Sequence, residues 1–331
     1  MMSYLKKMYD LRLKQPRLGQ MFVRCENSPY VSYSGNMKNC YLCSGSEFDE
    51  DCYYSFFIYN SKDSVGCDYC RECTLCYDCV DCRGCYNTNY SQDCVNCTDS
   101  EHLYDCVGCN NCFGSVGLRR QKSTIFNKFV SNYSTEVKKV KEAMNREQIE
   151  AKVEALKCET PRLYVHQLHN QEFTGDYVYD SKNSFLCFDT TNLEDCMYCN
   201  NAEQMKDCLD MSNSYYKTEL CYDVMSEMEL YNCDYCVTCF YSNDLFYSEN
   251  VHNSHHCFGC YAMNHAEYCI FNEKTGSLEE WTRRVAEIKK AMIENGEWGE
   301  HLPPTYSFED SNASMHWTTP YFEKNELSRY E

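Results

Sequence analysis

The sequence has little proline, 6 residues in 331, which excludes a collagen-like or proline-rich disordered chain. No run of eighteen apolar residues occurs, so no segment reads as a membrane-spanning helix. Cations are also short, with 31 Lys and Arg against 50 Asp and Glu, a formal net charge of -19. Nucleic acid is therefore not the expected partner, because phosphate binding depends on Lys and Arg displacing counterions. Arg119, Arg120 and Lys122 form the one local basic patch that runs against this. The opening MMSYLKKMYDLRLKQPRLGQ alternates charges with single apolar residues and lacks the core of a secretory signal or a transit peptide. The expected compartment is the cytoplasm, where thiols stay reduced. A Gly-rich phosphate loop, a nucleophile elbow, a His-Glu-x-x-His helix and a persuasive carboxylate pair are all missing, so the chain is expected not to be an enzyme.

What the sequence does have is 28 cysteines and 30 tyrosines, each several times a usual share. In CDYCRECTLCYDCVDCRGC, residues 67–85, a cysteine falls at every third position. Every cysteine from Cys25 to Cys112 keeps this phase, an event of about one in ten million by chance and the mark of a repeat. Where cysteine is missing, the slot holds Ser, Thr, Val, Met, Ile or Leu, with Asp49 the charged exception. Small or apolar slots flanked by polar pairs read as one inward residue in every three.

A larger period of twelve runs through KNCYLCSGSEFD, EDCYYSFFIYNS, KDSVGCDYCREC and TLCYDCVDCRGC. Its second column, Asn39, Asp51, Asp63, Leu75, Asn87, Asp99 and Asn111, suits a repeated corner. A period of three drifts around a helix of 3.6 residues per turn and does not match the two-residue alternation of a flat strand. The expected fold is mainly β: two tandem β-solenoids of 12-residue coils, stacked about 4.8 Å apart around small cysteine-lined interiors, each followed by a capping α-helix. The second array opens at KNSFLCFDTTNL, residue 182, and closes with CIFNEKTGSLEEW, echoing TIFNKFVSNYSTE of the first. Phe113-Gly114 and Phe258-Gly259 recur at the same offset. The expected organisation is 1–24 as an N-terminal helical cap, 25–121 as the first solenoid and 122–158 as a helical cap and linker. The second solenoid then takes 159–272, and 273–331 forms a C-terminal helix and tail. Residues 123–144, continuing through 158, read as one polar helix rich in Lys and Glu, and Ser277 with Glu280 as a capping box.

The tandem arrays, the closing segments NNCFGSVGLRR and IFNK, and the tail GEWGEHLPPTYSF resemble a group of uncharacterised cysteine-rich tandem-repeat proteins of candidate-phyla bacteria. The group has no established activity, so the resemblance implies no catalytic residue. Its longer members carry zinc-ribbon-like cysteine-pair modules ahead of the arrays, which this sequence does not show.

Three groups of residues are candidates for function. Cys67, Cys70, Cys73, Cys76, Cys79, Cys82 and Cys85 could hold zinc or an iron–sulfur cluster, since tetrahedral sites are commonly built from Cys-x-x-Cys turns. The same cysteines read equally as packing, because the aliphatic residues in equivalent slots cannot replace thiolates and buried cysteine behaves as a small hydrophobe. Disulfides between stacked coils are a third reading. His252, His255, His256 and His265 crowd Cys257 and Cys260, although the register turns the histidines outward and the thiols inward. Last, Tyr41, Tyr53 and Tyr77 in one column and Tyr30, Tyr54 and Tyr90 in the next form an outer wall. Phe185, Tyr222, Phe246 and Phe258, with Tyr198, Tyr235 and Tyr247, do the same in the second copy. Such a wall reads as a self-stabilising ladder, as a seam along which the two solenoids pack, or as a platform for a protein or carbohydrate partner. The expected function is a non-enzymatic binding or scaffold module, with metal storage or electron transfer through the thiols as the alternative.

Overall fold

The computed structural model describes residues 3–16, 19, 21–199, 221–222, 233–303, 305, 307 and 309, with the backbone alone at 221–222 and 233–235. The protein is mainly β, with several sheets, none closed, and among the described residues four helices: α1 (Tyr4–Arg12), α2 (Tyr133–Ala143), α3 (Arg146–Glu159) and α4 (Leu278–Glu294). The chain divides into two compact units, Met1–Arg17 with Leu163–Thr305, and Leu18–Arg162 with Tyr306–Glu331.

In the 18–162 unit, parallel bridges join each residue of one column to the residue twelve further on, as in Tyr41 to Tyr53 to Val65 to Tyr77. Each twelve-residue segment is thus a rung on the next. Within a rung the chain repeats a triplet of one inward residue, one bridging residue and one left-handed residue. Cysteines 40 to 112 are no more than 2% exposed, and Ser46, Ser55, Ile58, Ser61, Ser64, Thr88 and Leu103 share their burial. The left-handed positions include the whole column Asn39, Asp51, Asp63, Leu75, Asn87, Asp99 and Asn111. They also include Tyr54, Phe57 and Asn60, so all four corners of a rung, not one, use this backbone. An L residue there costs about 1 kcal/mol, and it persists only where the surrounding bonds over-determine it.

Those bonds take up the bridging and left-handed N–H groups, and the inward N–H as well where the slot one rung earlier is a serine. The bridging Tyr53 N–H donates to Ser64 O at 3.0 Å, and the left-handed Tyr54 N–H donates to Tyr41 O at 3.0 Å. The inward N–H donates to the side chain in the slot one rung earlier: Cys67 to Ser55 Oγ at 3.1 Å, Cys73 to Ser61 Oγ at 3.3 Å and Cys76 to Ser64 Oγ at 3.3 Å. Since a buried N–H without an acceptor is costly, the slot residue has a polar duty as well as a size limit.

Both ladders end in the same device. The strand Lys122–Ile125 turns back antiparallel onto Lys128–Phe129, and Glu267–Ile270 onto Glu273–Lys274. The two turn residues, Phe126-Asn127 and Phe271-Asn272, all have positive φ, as a type I′ hairpin requires. Asn127 then clamps the last rung, accepting from Val116 N–H at 2.8 Å and donating to Val116 O at 2.9 Å. Asn272 repeats this on Tyr261 at 2.8 and 2.9 Å. Phe126 and Phe271 lie over Gly114 and Gly259, where an added Cβ would meet the ring at 2.5 and 2.8 Å, which explains the recurring Phe-Gly pair. Asn127→Ala removes both clamp bonds, and we expect a loss of about 1–3 kcal/mol in a urea titration. Asn127→Asp, which keeps the acceptor and loses the donor, should fall between.

The helices depart from the expected caps in two ways. The polar stretch 133–158 is two helices, because Asn145 forms a capping box with Gln148 and restarts the chain. The pair also lies along the flank of the ladder, with Lys141 pairing with Glu101 and Arg146 with Asp78, several rungs from the closing hairpin. In the other unit, α1 from the segment 1–24 shares a core with α4: Met8 packs with Phe258, Trp281, Val285, Ile288 and Met292. The Ser277 hydroxyl accepts from Glu280 N–H at 3.2 Å, while the Glu280 carboxylate reaches Gly276 N–H at 3.0 Å in place of the Ser277 N–H.

Candidate functional site

The seven cysteines from Cys67 to Cys85 fall in one buried cluster with the other inward residues of the 18–162 unit. Each thiol is flanked by carbonyls two residues back and nine residues on. Cys79 Sγ lies 3.6 Å from Tyr77 O and 3.1 Å from Thr88 O, and Cys73 Sγ lies 3.4 Å from both Arg71 O and Cys82 O. The sulfur also faces the inward N–H of the next rung, Cys67 toward Cys79 and Cys73 toward Cys85. A thiol in this slot donates to carbonyl and presents a weak acceptor to the amide, which neither alanine nor valine can do.

Neighbouring thiols meet in sequence along a rung and one above another between rungs, as Cys70 meets Cys67, Cys73 and Cys82. Among the described residues, no group of three or more His, Cys, Asp or Glu is placed to hold a metal ion. Each cysteine whose side chain is described is a thiol rather than half of a disulfide, with Cys158 exposed and Cys25 half-buried. Burial pushes the Cys94 and Cys269 thiols above their ordinary values, so they are protonated at neutral pH. Because serine fills the slot with the same bonds, Cys79→Ser should change stability by about 1 kcal/mol or less, as read by thermal denaturation. Cys79→Leu adds branched volume to a filled interior and should cost about 1–3 kcal/mol in the same measurement.

The histidine group near Cys257 does not form a shared site. Cys257 and Cys260 are fully buried, with their thiols toward His255 O and Phe258 O. His252 is engaged elsewhere, with Nδ1 accepting from Phe240 N–H at 3.3 Å and Nε2 2.7 Å from Asn250 Oδ1. His256 stacks on Tyr268 and lies 3.2 Å from Asp244.

The tyrosine wall is a zigzag of ring contacts along one corner. Tyr30 meets Tyr41, and Tyr41 meets Tyr54, each at 5.6 Å and edge-on. Val65 and Gly66 interrupt it, and it resumes through Tyr77, Tyr90, His102, Phe113 and Phe126 with centroids 4.8–6.0 Å apart. The two halves differ in cover. In the second half, Phe113 and His102 are buried under α2 and α3, and burial holds the His102 imidazole below its usual pKa and neutral. In the first half, Tyr30 is 45% exposed, Tyr53 37% and Tyr54 59%.

Between the covered half and α3 lies a cleft of about 220 Å³ lined by Asp78, Tyr90, His102, Arg146, Glu150 and Lys157 among others. Its charges are paired within the chain, Arg146 with Asp78 and Glu150, and Lys157 with Glu154. In the other unit Phe246, Tyr247 and Phe258 are buried beneath α4, whereas Phe185 and Tyr198 meet edge-on at 6.1 Å and are exposed. The side chains of Tyr222 and Tyr235 lie outside the described residues.

One inward residue breaks the pattern. Asp49 is 1% exposed; its Oδ1 accepts from Ser61 N–H at 2.7 Å, the bond a serine makes in other slots, and its Oδ2 is buried without a hydrogen-bond partner. Burial pushes its carboxyl up to about 8.

No family model and no curated protein matches this chain. Among solved structures, an Arabidopsis UDP-N-acetylglucosamine acyltransferase aligns at 9% identity over 90% of this chain and 86% of its own, with a TM-score of 0.10. The polySia-specific acetyltransferase NeuO aligns at 8% identity over 82% and 94%, with a TM-score of 0.08. Likenesses at these scores carry no argument about fold or activity. Among the described residues, no helix is long and apolar enough to cross a membrane.

Proposed function

We propose that the chain is a non-enzymatic binding or scaffold module made of two tandem β-solenoids of 12-residue coils, working in a reducing compartment such as the cytoplasm. The coil interior is structural: thiols and hydroxyls complete the backbone hydrogen bonding and leave no room for a substrate. The function lies on the outside, at the exposed half of the tyrosine corner in the first array. The observation that carries this reading is the contrast along one corner. The same ring ladder is buried under helices at His102 and Phe113 and left open at Tyr30, Tyr54 and Tyr77, with Tyr53 exposed beside it, and such exposed aromatics mark an interaction surface. Rigid aromatic side chains suit such a surface, because they offer a large contact area with few rotamers to order.

Site-specific photo-crosslinking tests this. A benzophenone side chain at position 54 of the intact protein, irradiated in the producing cells, should give a discrete adduct. The same group at position 72, an exposed glutamate on another corner, should not. Equal adduct patterns from both positions would contradict a docking role for the tyrosine corner.

A further inference from the structure

We infer that the open half of the tyrosine corner receives, from a partner protein, an amphipathic helix whose apolar stripe is edged by Lys and Arg. This rests on the docking role proposed above and adds the chemistry of the occupant.

The chain itself shows what covers this corner. In the 18–162 unit the covered rings carry cations from the helices laid over them: Arg146 lies 4.6 Å from the Tyr90 ring, Lys141 5.7 Å from Phe113 and Lys152 4.7 Å from Phe126. Apolar residues one helical turn apart, Ile149 and Val153, are buried on the same helix. The other unit repeats the solution independently. There α4 buries Trp281, Val285, Ile288 and Met292 as a single stripe, and Lys289 sits 3.6 Å from the Phe246 ring. Lys7 of α1 lies 4.1 Å from Phe271. Two arrays of one chain thus cover their aromatic corners with an apolar stripe edged by cations.

The open half keeps the geometry that those helices use, with Tyr30, Tyr41 and Tyr54 edge to face and Tyr77 exposed beyond the gap. A cation over the face of a tyrosine is favourable, and more so once water is displaced. The bordering column carries Asp51 and Asp63, which favour Lys and Arg over an acidic partner, while Glu50 beside them is already paired with Lys38 and Lys62 at 3.1 and 3.0 Å. Tyr30 to Tyr77 spans four rungs, about 19 Å at the usual spacing, which matches a helix of about 13 residues at 1.5 Å each.

The test uses the full-length protein and a fluorescein-labelled synthetic peptide with the sequence of α4, residues 278–294, read by fluorescence anisotropy. Saturable binding is expected. It should weaken by about tenfold or more for the Tyr30→Ser/Tyr54→Ser protein and by less than about twofold for Tyr59→Ser, an exposed tyrosine on another corner. A peptide with Arg283→Glu, Arg284→Glu, Lys289→Glu and Lys290→Glu, its helicity checked by circular dichroism, should bind about tenfold more weakly or worse. Unchanged melting of the double-serine protein separates lost contacts from lost fold.

If the charge-reversed peptide binds as well as the native one and both need Tyr54, the corner is a docking surface but the cation-edged helix is wrong. Binding that ignores the tyrosine substitutions overturns the docking role and this inference together. No saturable binding of the α4 peptide overturns the inference and leaves the docking role to the crosslinking result. If sedimentation shows a dimer that Tyr30→Ser/Tyr54→Ser dissolves, the occupant is a second copy, and the inference fails.

Discussion

Asp49→Ser should stabilise the first array by about 4 kcal/mol at pH 7 and by almost nothing at pH 4, as measured by urea titration across pH. The sign follows from which protonation state the fold selects. The carboxyl titrates near its ordinary value when unfolded and at about 8 when folded, with burial the main cause and the nearby Glu47 adding to it. A group whose pKa is raised on folding lends its full stability below the unfolded pKa and loses it as pH rises toward the folded one. Each pH unit in the window from about 4 to 8 therefore removes about 1.4 kcal/mol from the native protein. Serine keeps the acceptor that Ser61 N–H requires, as Ser46 Oγ does for Ile58 N–H at 3.3 Å, and deletes the orphaned Oδ2. A stability difference that stays flat from pH 4 to pH 8 would show that Asp49 is not buried as a neutral acid.

Trp281→Ala should destabilise the 163–305 unit by about 3–5 kcal/mol, the range for deleting a buried large aromatic. The indole is 6% exposed, packs with Phe246 and His256 at 6.3 and 5.2 Å, and donates from Nε1 to Cys269 O at 3.2 Å. That carbonyl belongs to the last parallel strand, so the indole ties α4 to the closing edge of the ladder. Trp281→Phe retains most of the apolar area and loses the hydrogen bond, and it should cost about 1–2 kcal/mol less than alanine. Chemical denaturation of the intact protein, followed through the ladder circular dichroism, reads both. Equal costs for Phe and Ala would assign the whole effect to the hydrogen bond.

The periodic part of this architecture was legible because its cause is local. One inward residue in three and a register of twelve follow from the phase of Cys40 to Cys112, and the same positions are buried in parallel-bridged rungs. Size alone, however, gave the wrong emphasis. Alanine would fit the slots; what the cysteines and serines add is an acceptor for the inward N–H twelve residues on, as in Ser55 to Cys67. The scarcity of alanine in those slots was the available clue.

The recurring IFN segments were visible as a duplication, but the clamp that Asn127 and Asn272 place on the preceding rung needs the folded register. The helices were the least legible. Asn145 followed by Gln148 is a restart signal inside an otherwise continuous polar pattern. The pairing of Met8 with α4 joins the two ends of the described chain, and no local pattern encodes that. The wall of tyrosines was read as a single feature; its division into an open and a covered half depends on where α2 and α3 lie.

The inward cysteines are read here as interior groups that fill the slots and serve the backbone rather than as metal ligands. The most direct test is metal analysis by mass spectrometry on protein purified without oxygen or chelator, paired with thiol titration before and after unfolding. The account predicts no stoichiometric zinc or iron, rapid reaction of exposed Cys158, and reaction of the buried thiols from Cys40 to Cys112 only after denaturation. Several zinc or iron atoms per chain, lost together with the fold when Cys70, Cys79 and Cys82 are changed to serine, would contradict it.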